Sequence, residues 1–236
     1  AIWEYLMTLA NSNYEDWRLA NPNEDIDNFK FSFSKMSKAG ALFDMVKLAD
    51  VSKNYICRLS AEEVYEMVTD WAKENNKKLY KLLVDDEEYA KAIFAIERGN
   101  AKPRKDISAW TDVENYVSYF YSELWDRKFD FPDNLSNDDM IEILELYKQI
   151  YDENVSSDDW FPQVRDMAET IGYAKAPKVY KKDPDSYKGH VGDVAGVIRV
   201  AATGRRNTPD LYEILQVLGK DEVMKRFDEA IESLRG

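Results

Sequence analysis

Ser60-Ala-Glu-Glu-Val-Tyr-Glu-Met-Val-Thr-Asp-Trp71 decides the fold class. A serine followed three places later by a glutamate is a capping box: each side chain can satisfy a backbone N–H that a helix start leaves without a partner. Val64, Met67, Val68 and Trp71 then recur at the spacing that puts them on one helical face. The same grammar repeats outward from this stretch. Asp85 or Asp86 can cap a helix whose Tyr89, Ile93 and Ile96 share a face and which stops at Gly99. Thr111-Asp-Val-Glu114 reads as a second capping box, opening a stripe of Val113, Tyr116, Val117, Phe120 and Leu124. Ser136 precedes a helix carrying Met140, Ile143, Leu144, Tyr147 and Tyr151. Ser157 precedes one carrying Phe161, Val164, Ala168 and Ile171, with Gly172 as its stop.

After a loop rich in lysine and proline, Val191, Val194, Ala195, Ile198 and Ala202 form another apolar face that ends at Gly204. Thr208-Pro209 reads as N-cap and first helical residue, starting a helix with Leu211, Ile214 and Leu215 that breaks at Gly219. The last helix presents Val223, Phe227, Ile231 and Leu234. Strand-type alternation is confined to Phe29-Lys-Phe-Ser-Phe33. The chain is therefore expected to be all-α. Asp126 to Asn134 (DRKFDFPDN) breaks the periodicity with a proline among turn formers and is the best internal boundary. No internal repeat or low-complexity tract is visible.

With 236 residues, 44% hydrophobic and 13% aromatic, the chain can bury a substantial core and is not a disordered segment. No apolar run approaches the length of about 18 residues that a spanning helix needs, so no membrane partner is expected. The start AIWEYLMTLA does not begin with Met and has no signal pattern, and it is expected to be a boundary inside a longer protein. The single cysteine, Cys57, forms no internal disulfide and fits a reducing cytosol as a small core filler.

The net charge of −13 speaks, as a sum, against nucleic acid, but a polyanion responds to local potential. Between Tyr173 and Arg206 stand Lys175, Lys178, Lys181, Lys182, Lys188, Arg199, Arg205 and Arg206 against Asp183, Asp185 and Asp193. That stretch is +5 and the remainder is −18. A second basic patch comprises Arg98, Lys102, Arg104 and Lys105.

Lys35-Met-Ser-Lys38 has the form of the second signature of class I aminoacyl-tRNA synthetases, whose lysines stabilise ATP phosphates. That signature works beside a nucleotide fold with a His-x-Gly-His turn, and this chain has one histidine, His190. KMSK is therefore read as coincidence, with no catalytic, cofactor or metal site expected. His190 is expected to cap a helix or face solvent, and a lone histidine supplies no metal-ligand spacing. Asp85-Asp86 and Asp158-Asp159 sit where helix N-termini attract negative charge.

Two blocks resemble the bacterial-type glutamyl-tRNA synthetases. Lys38-Ala-Gly-Ala-Leu-Phe-Asp44, Lys47-Leu48, Asn54-Tyr-Ile56 and Leu59-Ser60 resemble the segment after that family's catalytic domain, although Asn54 directly precedes Tyr-Ile here. Ile198-Arg-Val-Ala-Ala-Thr-Gly204, Thr208-Pro-Asp-Leu211, Glu213-Ile-Leu215 and Leu218-Gly-Lys220 resemble the family's R-x-A-L-T-G, T-P-x-L and L-G-K series. The resemblance implies a helical cage followed by a second helical bundle, holding a tRNA anticodon loop together. It implies a connector over 1–60, a first anticodon-binding subdomain over 61–128 and a second over 129–236. The parent would be an ATP-dependent class I glutamate–tRNA ligase of the cytoplasm; this part, without the ATP-binding catalytic domain, would be inactive and monomeric, with tRNA and not DNA as its partner.

Carried over by position, the anticodon-reading residues fall on Arg104, Arg199, Thr208, Pro209 and Leu211. Lys102, Lys105, Arg205 and Arg206 are placed for phosphate contacts. At Arg104 the family's P-R-F is Pro103-Arg-Lys105. The glutamate anticodon ends in cytosine, whose pairing edge has two acceptors and one donor; the glutamine anticodon that shares its first two letters ends in guanine, with the reverse. A guanidinium only donates. It should prefer cytosine by ~1–3 kcal/mol, the cost of donors left unpaired, and so prefer the glutamate tRNA. An acidic helical module that binds a protein and no RNA is the alternative reading.

Overall fold

A computed structural model describes residues 1–36 and 42–236. Ser37 and Lys38 of the KMSK tetrapeptide, and Lys38 to Ala41 of the first family-like block, lie outside the described residues. The chain divides into two compact units, Ala1–Val117 and Ser118–Gly236. Both are helical, as the apolar periodicity requires.

The first unit runs α1 (Ile2–Ala10), α2 (Tyr14–Ala20), α3 (Met45–Ile56), α4 (Ala61–Asn75), α5 (Lys77–Asp85), α6 (Glu87–Ala95) and α7 (Val113–Val117). The Ser60 box forms as expected: Glu63 N–H donates to Ser60 Oγ at 3.2 Å and Ser60 N–H to Glu63 Oε2 at 2.7 Å. Val64 and Val68 are completely buried behind it, each stabilising the unit by ~1.5–3 kcal/mol relative to exposure. α4 packs on α5 and α6, and α1 packs on α3. Asp86 caps α6 by accepting from Tyr89 N–H at 2.9 Å, but the helix stops at Ala95: Ile96 leaves the helical region with ψ at 123°, and Glu97 follows with a left-handed φ of 54°.

Three local expectations are corrected in this unit. Phe29 to Phe33 is no strand: 3-10 turns at Ile26–Asn28 and Phe33–Lys35 flank it. Phe29 instead packs edge-on against Tyr14, with ring centroids 5.0 Å apart. The Thr111 capping box does not form, because Asp112 accepts from Ser108 N–H at 2.8 Å and Ala109 N–H at 3.0 Å and closes a 3-10 turn, Trp110–Asp112, that starts two residues earlier. Gly99 lies beyond the end of α6 and stops nothing. Cys57 fills the core at 6% exposure.

The second unit contains α8 (Asn137–Ile150), α9 (Ser157–Thr170), α10 (Pro177–Tyr180), α11 (Val191–Thr203), α12 (Leu211–Leu218) and α13 (Lys220–Arg235). Two short strands, β1 (Tyr173–Ala174) and β2 (Gly189–His190), pair in parallel inside the expected loop. Ser136 caps α8 as expected. The cap of α9 is Ser156, with Ser157 as the first helical residue. His190 caps α11, its Nδ1 accepting from Gly192 N–H at 3.0 Å. α11 is the central helix, packed on α8, α9 and α13, and Val194, Val197, Ile198 and Ala201 are fully buried.

The stretch 126–134 is fastened inside this unit. Asp130 N–H donates to Gly204 C=O at 3.1 Å, and Arg206 Nε donates to Asp130 C=O at 2.9 Å. Arg226, only 1% exposed, donates to Ala202 C=O at 2.6 Å and to Glu222, and its guanidinium lies 4.1 Å from the centre of the Trp125 ring. No helix among the described residues is long and apolar enough to cross a membrane.

Candidate functional site

In the first unit, the segment after α6 carries the predicted basic patch. Arg98 spends its guanidinium on the chain itself: Nε donates to Phe94 C=O at 2.7 Å, and Nη1 to Ile56 C=O at 2.8 Å and Leu59 C=O at 3.1 Å. The Phe94 and Ile56 carbonyls lie at helix C-termini, where a cation complements the backbone dipoles. Burial lowers the pKa of Arg98. It is a structural residue.

Arg104 is different. Its guanidinium forks onto Asp106, Nε to Oδ2 at 2.7 Å and Nη2 to Oδ1 at 2.9 Å. Glu97 stands 3.8 Å from Nε. The hydrogen bond to Asp106 raises the pKa of Arg104 further. Pro103, Arg104, Lys105, Ile107 and Tyr116 line a cleft together with Ile56 and Cys57. Burial pushes the Tyr116 phenol up to about 12, so its hydroxyl stays protonated. Lys102 and Lys105 are exposed on the same segment. Asp106 was not singled out by sequence reasoning, although an acid two residues after the arginine is a visible signal.

In the second unit, Arg199 projects from α11 onto the Thr208–Pro209 turn. Its Nη1 donates to Thr208 C=O at 3.2 Å and to Pro209 C=O at 2.7 Å, and also meets the Thr208 hydroxyl. Thr208-Pro209 is therefore not the cap and first residue of α12. Asp210 is the cap, accepting from Glu213 N–H at 2.9 Å, because the Thr208 oxygen is already engaged by Arg199. Thr208 is 6% and Leu211 is 2% exposed, and Pro209 is also buried. The structure thus brings Arg199, Thr208 and Pro209 into contact, with Leu211 in the core beneath, while Arg104 belongs to the other unit.

Arg205 donates to Ser118 Oγ at 2.8 Å and lies 5.4 Å from the centre of the Tyr119 ring. Arg206 donates to Asp130 and Phe131 carbonyls and pairs with the Asp130 carboxylate at 3.1 Å. Both expected phosphate contacts are thus also ties within their own unit. Lys188 bridges Asp139 at 2.7 Å and Glu142 at 2.9 Å, which raises its pKa. Lys178, Lys181 and Lys182, on α10 and just after it, are exposed and make no ion pair among the described residues.

Residues 185–231, which span the Arg199–Thr208 contact, match the family model described as an anticodon binding domain. The chain is 43% identical over 231 residues to a glutamate–tRNA ligase of Acetivibrio thermocellus, covering 98% of this chain and 42% of that one. It is 44% identical over 225 residues to a glutamate–tRNA ligase of Sorangium cellulosum, covering 94% and 39%. A crystal structure of a glutamate tRNA ligase from Elizabethkingia meningosepticum in complex with its amino acid shares the fold, with a TM-score of 0.56 at 20% identity over 87% of this chain and 36% of that one. The helical architecture and the family match define the class: the anticodon-binding region of an aminoacyl-tRNA ligase. Similarity along nearly the whole chain then narrows the class: the chain is similar to the C-terminal part of glutamate–tRNA ligases and spans about two-fifths of the length of the relatives it matches.

Proposed function

We propose that this chain reads the anticodon of a glutamate-accepting tRNA, as the C-terminal part of an ATP-dependent glutamate–tRNA ligase used in protein synthesis. The observation that carries the reading is the Arg199-held Thr208–Pro209 turn, which lies inside the anticodon-binding match. A rigid turn of this kind offers a fixed surface against which a splayed loop base can be read. The turn residues are themselves buried, so they act by shaping that surface and holding the Arg199 guanidinium at its edge. Arg104 contributes the choice of the last anticodon base, and Lys102, Lys105, Arg205 and Arg206 contribute attraction for phosphates. No observation favours the RNA-free protein-interaction module.

Amino-acid activation and ATP belong to the remainder of the ligase, and the chain by itself acts as a monomer without activity. Filter binding with glutamate tRNA transcript tests the proposal. The expected result is roughly micromolar or weaker binding at low salt that falls steeply as salt rises. Absence of binding at low salt, or binding indifferent to salt, overturns it. Pyrophosphate exchange by the isolated chain should be nil.

A further inference from the structure

Asp106 turns Arg104 from a general cation into a reader with one available edge. A guanidinium has five N–H donors in a fixed plane. Asp106 occupies the Nε–Nη2 edge in a two-bond fork, and such forks fix the plane as well as the position. The Nη1–Nη2 end is what remains, and Nη1 makes no hydrogen bond among the described residues. That end presents two roughly parallel donors, which suit two neighbouring acceptors such as the N3 and O2 of cytosine. Guanine offers two donors at the corresponding place on its pairing edge.

The same ion pair alters the electrostatics. Arg104 with Asp106 carries no net charge, and Glu97 at 3.8 Å adds a further negative charge. The attraction that a bare arginine would offer to any RNA phosphate is thereby reduced, while hydrogen-bond geometry is kept. Affinity for every tRNA falls and discrimination between them rises.

We propose that Asp106 is a specificity-determining positioning residue, which orients Arg104 toward the last anticodon base and suppresses its non-specific attraction to phosphate. The proposal rests on the reading that Arg104 contacts that base. Its signature is unusual: removing Asp106 should strengthen binding to the wrong RNA.

The test uses this chain and two anticodon stem-loop RNAs, identical except for cytosine or guanine at the last anticodon position, titrated at fixed low salt. Asp106 has a side chain one-third exposed, so Asp106→Asn keeps the shape with little threat to folding. For Asp106→Asn the expected result is a preference for the cytosine hairpin reduced about tenfold, with the guanine hairpin bound more tightly than by the unsubstituted chain. Arg104→Gln should abolish the preference while binding neither hairpin more tightly.

A purely structural Asp106 would weaken both hairpins alike, and that outcome overturns the proposal, as does an unchanged preference. If Arg104→Gln abolishes the preference but Asp106→Asn leaves it intact, the role of Asp106 alone is refuted. If Arg104→Gln leaves the preference intact, the reading of Arg104 fails and the role of Asp106 fails with it. An unsubstituted chain that binds neither hairpin, or both equally, likewise overturns both.

Discussion

One nitrogen of Arg199 holds both carbonyls of the Thr208–Pro209 turn: Nη1 lies 3.2 Å from the Thr208 oxygen and 2.7 Å from the Pro209 oxygen. Removing the side chain leaves acceptors of a buried turn without their donor, at a cost of about 1–3 kcal/mol. Arg199→Ala should therefore lower the unfolding midpoint. It should also weaken both cytosine- and guanine-ending RNAs to a similar degree, about tenfold, because it deforms a surface common to both. Thermal denaturation followed by filter binding checks this; selective loss of one RNA would show that Arg199 reads the base itself.

Gly204 ends α11 with φ at +76°, a conformation that costs a side-chain-bearing residue roughly 1–2 kcal/mol. A Cβ there would also press into the Lys128 carbonyl and come within 3.1 Å of Trp125 Nε1. Gly204→Ala should destabilise the second unit by at least about 2 kcal/mol, read as a lower urea midpoint. A neutral outcome would mean that the 125–130 stretch yields easily.

Ser60→Ala removes half of a fully formed capping box. The expected loss is about 1 kcal/mol, seen in the unfolding of the first unit, with no change in the preference between the two hairpins. Ser60→Asp should restore most of the stability.

Acid should destabilise the chain through identifiable carboxylates. Burial opposes ionisation of Asp112, but hydrogen bonds from the Ser108 side chain and from the Ser108 and Ala109 amides outweigh it and hold its carboxyl below the usual range. The Lys188 ammonium, with Ser136, does the same for Asp139. Below the ordinary carboxylate pKa of about 4 the unfolded chain takes up more protons than the folded one, so stability is lost as pH falls. The contribution is fully present at neutral pH and fades below about pH 5. Melting curves between neutrality and pH 3 should show that decline, with a smaller slope for Asp112→Asn.

Helix starts and stops were legible wherever one residue's own chemistry settles them. Ser60, Ser136 and Gly204 do what their residue types predict. Thr208-Pro209 failed as a helix start because its hydroxyl is taken by an arginine nine residues back, a tertiary contact that no local pattern contains. Thr111 failed because Asp112 reaches back to Ser108. The candidate site was legible in part. Arg199 and Thr208 do meet; that Thr208, Pro209 and Leu211 are buried, that Arg98 serves the backbone, and that Asp106 grips Arg104 all depend on packing or local geometry that a linear reading does not contain.

The ties among Trp125, Arg127, Asp130, Gly204, Arg226 and Glu229 have a temporal consequence. They join the opening turn of the second unit to its last helix, across about a hundred residues. During synthesis the early part of this unit must wait, with Trp125 uncovered, until α13 has left the ribosome. Formation of the unit is thus governed by the delivery of its final segment, and a polypeptide stalled before Arg226 would expose an aromatic surface that invites chaperone capture.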